Sequence, residues 1–152
     1  MFLAALLIGV AAGLRSMTAP FAVSVAARLG WLHLEGTALG FLASPAVPWV
    51  FGVLAAGEWI ADKLPKTPSR KAPPGFAARV VSGALCGAAI GTNSGGLALG
   101  LVAGVAGAVL GTLGGYEARR RLSRAAGRDL PIALLEDFVA IVLAFAAVGA
   151  SR

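Results

Sequence analysis

An arginine and a proline interrupt the first apolar run of the chain, and this interruption constrains the fold more than any other feature. Leu7–Pro20 reads LIGVAAGLRSMTAP, after which the chain continues as the apolar FAVSVAARLGWL. Arginine and proline both disrupt a membrane helix, and the charge and the freed backbone groups then need polar partners. We therefore predict a helix break at Arg15–Ala19 that is surrounded by polar side chains.

The composition indicates an all-α integral membrane protein. Of the 152 residues, 58% are hydrophobic and 13% charged, and the mean hydropathy is +0.84. Soluble domains contain about a quarter charged residues, and several segments here approach the ~20 apolar residues that span a bilayer. The net charge of +6 comes from basic residues beside apolar helices, where they set orientation. The expected surroundings are therefore membrane lipid, and no nucleic-acid partner is expected.

Apolar runs and their breaks predict about six short membrane helices in a single membrane domain. Helices 1 and 2 are shorter than a full span, so they either cross by tilting or form a re-entrant hairpin; the same question applies to helices 4 and 5. The predicted helices are about Phe2–Leu14, Pro20–Leu29, Pro48–Leu64, Phe76–Thr92, Leu97–Tyr116 and Leu130–Ala150.

The two halves of the chain resemble each other. A shift of 78 residues sets LIGVAAGLRS against LCGAAIGTNS and carries Glu58 onto Glu136. We predict homologous halves at 1–71 and 74–152, which the basic, proline-rich segment Pro65–Pro74 connects. Because three helices per half is an odd number, the halves are expected to be inverted relative to each other.

The candidate site consists of polar groups at the two helix breaks and of carboxylates inside apolar helices. Glu58 and Asp62 share one helix face, and a charge inside a membrane helix costs roughly 2.5 to 3.5 kcal/mol unless it pairs or contacts water. We expect these residues to converge near mid-membrane and to bind a substrate or ion. The alternative is that Arg15 and Arg79 only neutralise the carboxylates. The candidate residues are Arg15, Ser16, Thr18, Glu58, Asp62, Asn93, Ser94, Glu136 and Asp137.

Small residues recur at four-residue spacing along helices 4 and 5. Such stripes let helix backbones approach closely in lipid. Packing within one chain explains them better than dimerisation, although a homodimer that shares or duplicates the site stays open. The stripes are Gly83, Gly87 and Gly91, then Gly96, Gly100 and Gly104, then Gly107, Gly111 and Gly115.

Four segments resemble a family of small bacterial integral membrane proteins catalogued as a domain of unknown function. These are GLRSMTAP, ExxxDKLPKTPSR at Glu58–Arg70, RVVSGALCGA at Arg79–Ala88, and LED at Leu135–Asp137. The resemblance implies a protein of the bacterial inner membrane and supplies no activity. Basic residues concentrate in Lys63–Lys71 and Arg119–Arg128, which predicts that these segments are cytoplasmic and both termini outside.

The chain lacks the patterns of a catalytic site. No phosphate-binding glycine loop and no HExxH are present, and the single His33 and single Cys86 lie far apart. We therefore expect no enzyme activity, no metal and no cofactor. Inverted halves, broken helices and buried carboxylates together favour a small transporter or channel for a small solute or ion. The alternative is a non-transporting membrane protein that binds lipid or a partner protein.

Overall fold

The computed structural model describes residues 1–62 and 73–152, which form an all-α bundle. The prediction of six helices is confirmed, and a short 3-10 helix at Gly40–Ala43 lies in the loop before the third. The predicted segments Lys63–Lys71 and Pro65–Pro74 lie outside the described residues, except that Pro73 and Pro74 begin a helix. The helices are α1 Phe2–Leu14, α2 Thr18–Arg28, α3 Val47–Ala61, α4 Pro73–Asn93, α5 Leu97–Ala126 and α6 Leu130–Gly149.

Three of the described helices are long and apolar enough to cross a bilayer. These are α4, α5 and α6, with 21, 30 and 20 residues, which indicates a membrane protein. The apolar helices α1 and α3 are shorter, with 13 and 15 residues, and α2 has 11. The bundle therefore combines full-length helices with an incomplete pair at its N-terminus.

Helix α5 continues past the predicted end at Tyr116 as far as Ala126. Glu117 accepts hydrogen bonds from Arg120 and Arg121 at 2.9 and 2.7 Å, which are the i,i+3 and i,i+4 pairs that support a solvated helix. Gly127 ends the helix in the left-handed conformation, with φ +65°. The charged segment after Tyr116 is therefore helical.

Glycines set the distance between α1, α4 and α5. Gly9 packs against Gly104, so α1 contacts the middle of α5, and Gly87 of α4 packs against Gly100 of α5. A Cβ atom on any of these glycines would overlap the backbone of the facing helix. The predicted packing role of the α4 and α5 stripes is thus seen within one chain.

Helices that follow one another in the chain alternate in direction. Met1 approaches Gly96 and Thr112 donates to the carbonyl of Gly13, so α1 and α5 are parallel, whereas α4 runs opposite to both. We call the end of the bundle where α1 stops the Arg15 end. The opposite end, where α4 stops, is the Asn93 end. Both termini lie at the Asn93 end, because the carbonyl of Ser151 accepts a hydrogen bond from Asn93.

Candidate functional site

Arg15 is the first residue after α1, and its side chain is fully buried. The backbone turns from helix to an extended conformation there, with φ −142° and ψ 113°. Helix α2 begins at Thr18, so the break is only Arg15, Ser16 and Met17. The short break points a guanidinium group into the interior of an apolar bundle.

Three carboxylates from two helices surround the Arg15 guanidinium. Asp62 follows the end of α3 and forms an ion pair with Nη1. Asp137 Oδ1 lies 2.6 Å from Nε, and Glu136 Oε2 lies 3.9 Å from Nη2. The side chains of all three carboxylates are no more than 12% exposed. Removal of Arg15 from this group would leave its buried carboxylates without their shared cation.

Glu58 of α3 closes the helix break itself. One of its carboxylate oxygens accepts from the amide and the hydroxyl of Ser16, at 2.8 and 2.9 Å, and the other accepts from the amide of Met17 at 2.8 Å. These amides lie at the start of α2, where N–H groups have no intrahelical partner and the helix dipole favours negative charge. The indole of Trp59 also donates to the Thr18 hydroxyl at 3.2 Å. Helix α3 is thereby attached to the break by consecutive side chains.

Helix α4 contacts the same break from another side. Ser82 donates to the carbonyl of Ser16. Arg79 is buried with its Nη2 3.8 Å from Glu58 and donates through Nη1 to the carbonyl of Gly75. The sequence indicated Arg79 as a neutralising residue, and its position beside Glu58 agrees with that role.

Helix α5 adds a cation that we did not include among the candidates. Arg119 has one guanidinium nitrogen 3.7 Å from Glu136 and binds Asp129 through two hydrogen bonds of 3.0 and 2.6 Å. In a continuous α5, Arg119 lies seven residues after Thr112, which contacts the α1 end, so both share one face. The seven-residue spacing from Thr112 is the sequence signal that could have identified it. We call Arg15, Glu58, Asp62, Arg79, Arg119, Glu136 and Asp137 the Arg15 cluster.

A cleft of about 150 Å³ between α5 and α6 reaches the cluster. Arg119 and Glu136 line it together with apolar side chains that include Leu14, Leu135 and Val139. Among the described residues, the cluster is thus largely buried, and a mainly apolar cleft reaches its members Arg119 and Glu136. Among residues 1–62 and 73–152, no three His, Cys, Asp or Glu side chains are arranged to hold a metal ion.

Asn93 and Ser94 lie at the other end of the bundle. Asn93 accepts from the His33 amide and donates to the Ser151 carbonyl, each at 2.7 Å. Since α1 separates the two ends, they are about 20 Å apart. The expected convergence of Asn93 and Ser94 with Arg15 is therefore corrected. Helices α1 and α4 are antiparallel neighbours, so the breaks that follow them lie at opposite ends.

The structure brings seven of the nine sequence-predicted residues together at the Arg15 end. Arg15 and Ser16 come from the first break, Thr18 is the first residue of α2, and the four carboxylates come from α3, the residue after it, and α6. The contribution of Ser82 was not predicted. A serine inside α4 gives no sequence signal of its partner, since the partner is a backbone carbonyl.

Comparison with known proteins identifies a family for the whole chain and not a role for the Arg15 cluster. Residues 2–151 match the model of a family described as a domain of unknown function, DUF4126. The chain belongs to this family. No curated protein and no solved structure shows significant similarity to it. The DUF4126 match confirms the predicted resemblance and assigns no activity, so a function has to be argued from the Arg15 cluster.

Proposed function

We propose that the protein is a small membrane transporter or channel that moves a small solute or ion past the Arg15 cluster. The observation that carries this proposal is the fully buried Arg15 guanidinium among Asp62, Glu136 and Asp137. Ionisable groups inside membrane proteins are expensive, and they commonly mark ion or substrate pathways. Apolar contacts would hold these helices together without that expense.

The short helices at the first break support a position inside the membrane. Helices α1 and α2 are about 20 and 17 Å long, less than the ~30 Å hydrocarbon core. We propose that they form a re-entrant hairpin that enters from the Asn93 end, so that its tip at Arg15 lies within the bilayer. Helices α4, α5 and α6 are long enough to cross.

The cleft between α5 and α6 supports an access route. It leads to Glu136 and Arg119, which are members of the cluster on helices that reach the Arg15 end. A solute that enters there would meet the carboxylate of Glu136 before the buried Arg15. Glu136 is therefore the residue whose neutralisation should alter transport most directly.

The proposal includes two inverted halves in a bacterial inner membrane. The support is that helices alternate in direction, with α1 antiparallel to α4, and that Glu58 and Glu136 belong to one cluster.

Both termini lie opposite Arg119, which favours an outside location for them under the positive-inside rule. Thiol labelling of Ala125→Cys in intact cells tests this orientation, because the native Cys86 is buried. Labelling by an impermeant reagent from the periplasm would contradict it.

The second candidate is a non-transporting membrane protein that binds lipid or a partner protein. The observation that favours it is the packing of α1, α4 and α5, whose glycines leave no space for a Cβ atom between the helices. Ion pairs such as Arg15–Asp137 would then only stabilise the fold.

Flux through proteoliposomes separates the two candidates. We expect the wild-type protein to carry protons, Na⁺, K⁺ or Cl⁻ above the leak of protein-free liposomes, and Glu136→Gln to reduce the rate at least tenfold. Arg124→Ala, which removes an exposed cation at the end of α5, is the matched control and should retain the rate. A folded wild-type protein that carries none of these ions supports the second candidate. Equal transport rates for Glu136→Gln and wild type would show that the transported ion does not pass the Arg15 cluster.

A further inference from the structure

A second cavity lies at the Asn93 end, away from the Arg15 cluster. It has a volume of about 410 Å³, within the range of ligand sites. It opens between the last turns of α2 and the start of α3, where Pro45 and Pro48 direct the chain into the helix. We call it the α2–α3 groove; its lining includes Phe21, Val25, Arg28, Leu29, Pro48 and Trp49.

The inner wall of the α2–α3 groove is fixed by aromatic packing. The Phe21 ring meets Phe145 of α6 edge-on, with centroids 6.2 Å apart. The Phe21 ring also lies against Gly52 of α3, where a Cβ atom would be 3.3 Å from the ring. The groove is therefore a surface depression with an aromatic floor.

The outer rim of the groove faces the surroundings of the bundle. Trp49 is 79% exposed and Leu29 is 59% exposed. Exposed apolar side chains on a membrane helix contact lipid, and tryptophan favours the level of the headgroups. The groove therefore continues the lipid-facing surface, and its apolar part is suited to an acyl chain.

Arg28 gives the groove its one charged lining residue. In the part of the chain that the structure describes, no hydrogen bond or ion pair holds the Arg28 side chain, which is exposed at the end of α2. By contrast, the terminal Arg152 at the same end lies over the Trp31 ring, with 3.6 Å to the ring centroid. Arg28 is thus a cation placed at headgroup level beside an apolar groove.

We infer that the α2–α3 groove binds one anionic phospholipid of the surrounding membrane. An acyl chain lies along Phe21, Val25 and Trp49, and the phosphate pairs with Arg28. The shape accommodates an acyl chain, and the charge selects the anionic headgroup, because a basic residue at the membrane surface strengthens binding of anionic lipid on the order of fivefold. This inference does not depend on the proposed transport function.

Quenching of Trp49 fluorescence by lipids with brominated acyl chains tests the inference on the full chain in detergent micelles. The difference between wild type and Trp49→Phe isolates Trp49 from Trp31 and Trp59. We expect brominated phosphatidylglycerol to quench Trp49 at about fivefold lower concentration than brominated phosphatidylcholine. Arg28→Ala should abolish that preference, and Arg124→Ala should preserve it.

Three outcomes would overturn the inference. Equal quenching by the two lipids would show an unselective lipid-facing surface. A preference that survives in Arg28→Ala would place the headgroup elsewhere. Loss of lipid access to Trp49 in a protein that sediments as a dimer would show that a second copy occupies the groove. A Val25→Trp variant, which fills the groove without changing its charge, should reduce quenching by both lipids.

Discussion

The two helix breaks of the bundle provide hydrogen-bond partners for their free backbone groups in different ways. At the Asn93 end, α4 stops through local backbone bonds: the Gly96 amide donates to the Gly91 carbonyl and the Gly95 amide to the Thr92 carbonyl. With Gly95 at φ +74°, these bonds form a Schellman motif, which needs little beyond glycine. At the Arg15 end, the amides of Ser16 and Met17 are bound by Glu58, from a helix that begins 30 residues later in the chain.

The comparison shows which break depends on the tertiary fold. The glycine break can form without the other helices, because the partners of each backbone hydrogen bond lie only three to five residues apart in the chain. The arginine break requires α3, α4 and α6 to be in place, since Asp62, Arg79 and Asp137 all lie outside α1 and α2. A change at the Arg15 end should therefore affect the whole bundle, whereas a change at the other end should have a local effect.

The largest expected effect is that of Arg15→Ala. It leaves the carboxylates of Asp62 and Asp137 buried without their cation, and should lower the free energy of unfolding by about 3–5 kcal/mol. Unfolding in mixed detergent micelles measures this change, with Arg124→Ala as an exposed arginine control that should stay within about 0.5 kcal/mol of wild type.

A double variant distinguishes a structural Arg15 from a substrate-binding Arg15. If Arg15 only neutralises the carboxylates, Arg15→Ala combined with Asp137→Asn should regain part of the lost stability. A single Arg15→Ala variant that keeps wild-type stability but carries no ion would contradict the structural role and favour direct contact with the transported solute.

The next effect is that of Glu58→Ala. It removes the carboxylate that caps the start of α2, which should lower stability by about 2–3 kcal/mol, somewhat more than the roughly 0.5–2 kcal/mol lost with an ordinary N-cap, because this cap is charged. Glu58→Gln, which retains one acceptor oxygen, should lose less. Glu35→Ala removes an exposed glutamate and should leave unfolding unchanged. Equal stability of all three variants would contradict the capping role of Glu58.

A smaller effect is expected from Asn93→Ala at the opposite end. This change removes the hydrogen bonds to the His33 amide and the Ser151 carbonyl and should lower stability by about 1–2 kcal/mol. The matched control is Ser94→Ala, since Ser94 is the next residue and its side chain is exposed. A loss as large as that of Arg15→Ala would remove the distinction between a local and a global break.

The smallest effects come from a pair of glycine variants with opposite expected signs. Gly95→Ala places a side chain at φ +74° and should destabilise by about 1 kcal/mol, although open space surrounds the position. Gly114→Ala in α5 also meets open space, but its backbone is helical, and it should be neutral or stabilise by roughly 0.5–1 kcal/mol. Equal shifts in the two variants would show that backbone conformation does not control the second break.

Much of the fold was predictable because it depends on local patterns. The bounds of α1 and the start of α5 follow from apolar runs that end at polar residues or glycines, and the structure places them as predicted. The C-terminal end of α5 was predicted less well. Helix 5 was expected to run on from Tyr116 into the arginines at 119–121 and then to give way to a polar turn, whereas it ends at Ala126. Arg120 and Arg121 pair with Glu117 within this extension.

For the candidate site, the sequence predicted which residues take part but not how they pair. The rarity of charge in an apolar chain pointed to Arg15, Glu58 and Asp137, whatever their partners. Which carboxylate faces which cation depends on helix direction, which composition does not encode. The antiparallel arrangement of α1 and α4 separated Asn93 from Arg15, although the sequence around the two breaks is similar.

The limited packing of α3 has a consequence for motion. Of residues 47–61, all of which the structure describes, Ala55 alone is buried, and α3 packs mainly on α2 and the 3-10 helix. Helices α1, α4 and α5 instead interlock backbone against backbone. Helices α1, α4 and α5 thus form a tightly packed core, and α3 is only loosely packed against the bundle. Glu58 and Asp62 hold α3 in place through their polar contacts with Ser16, Met17 and Arg15. Amide exchange should be fastest along α3.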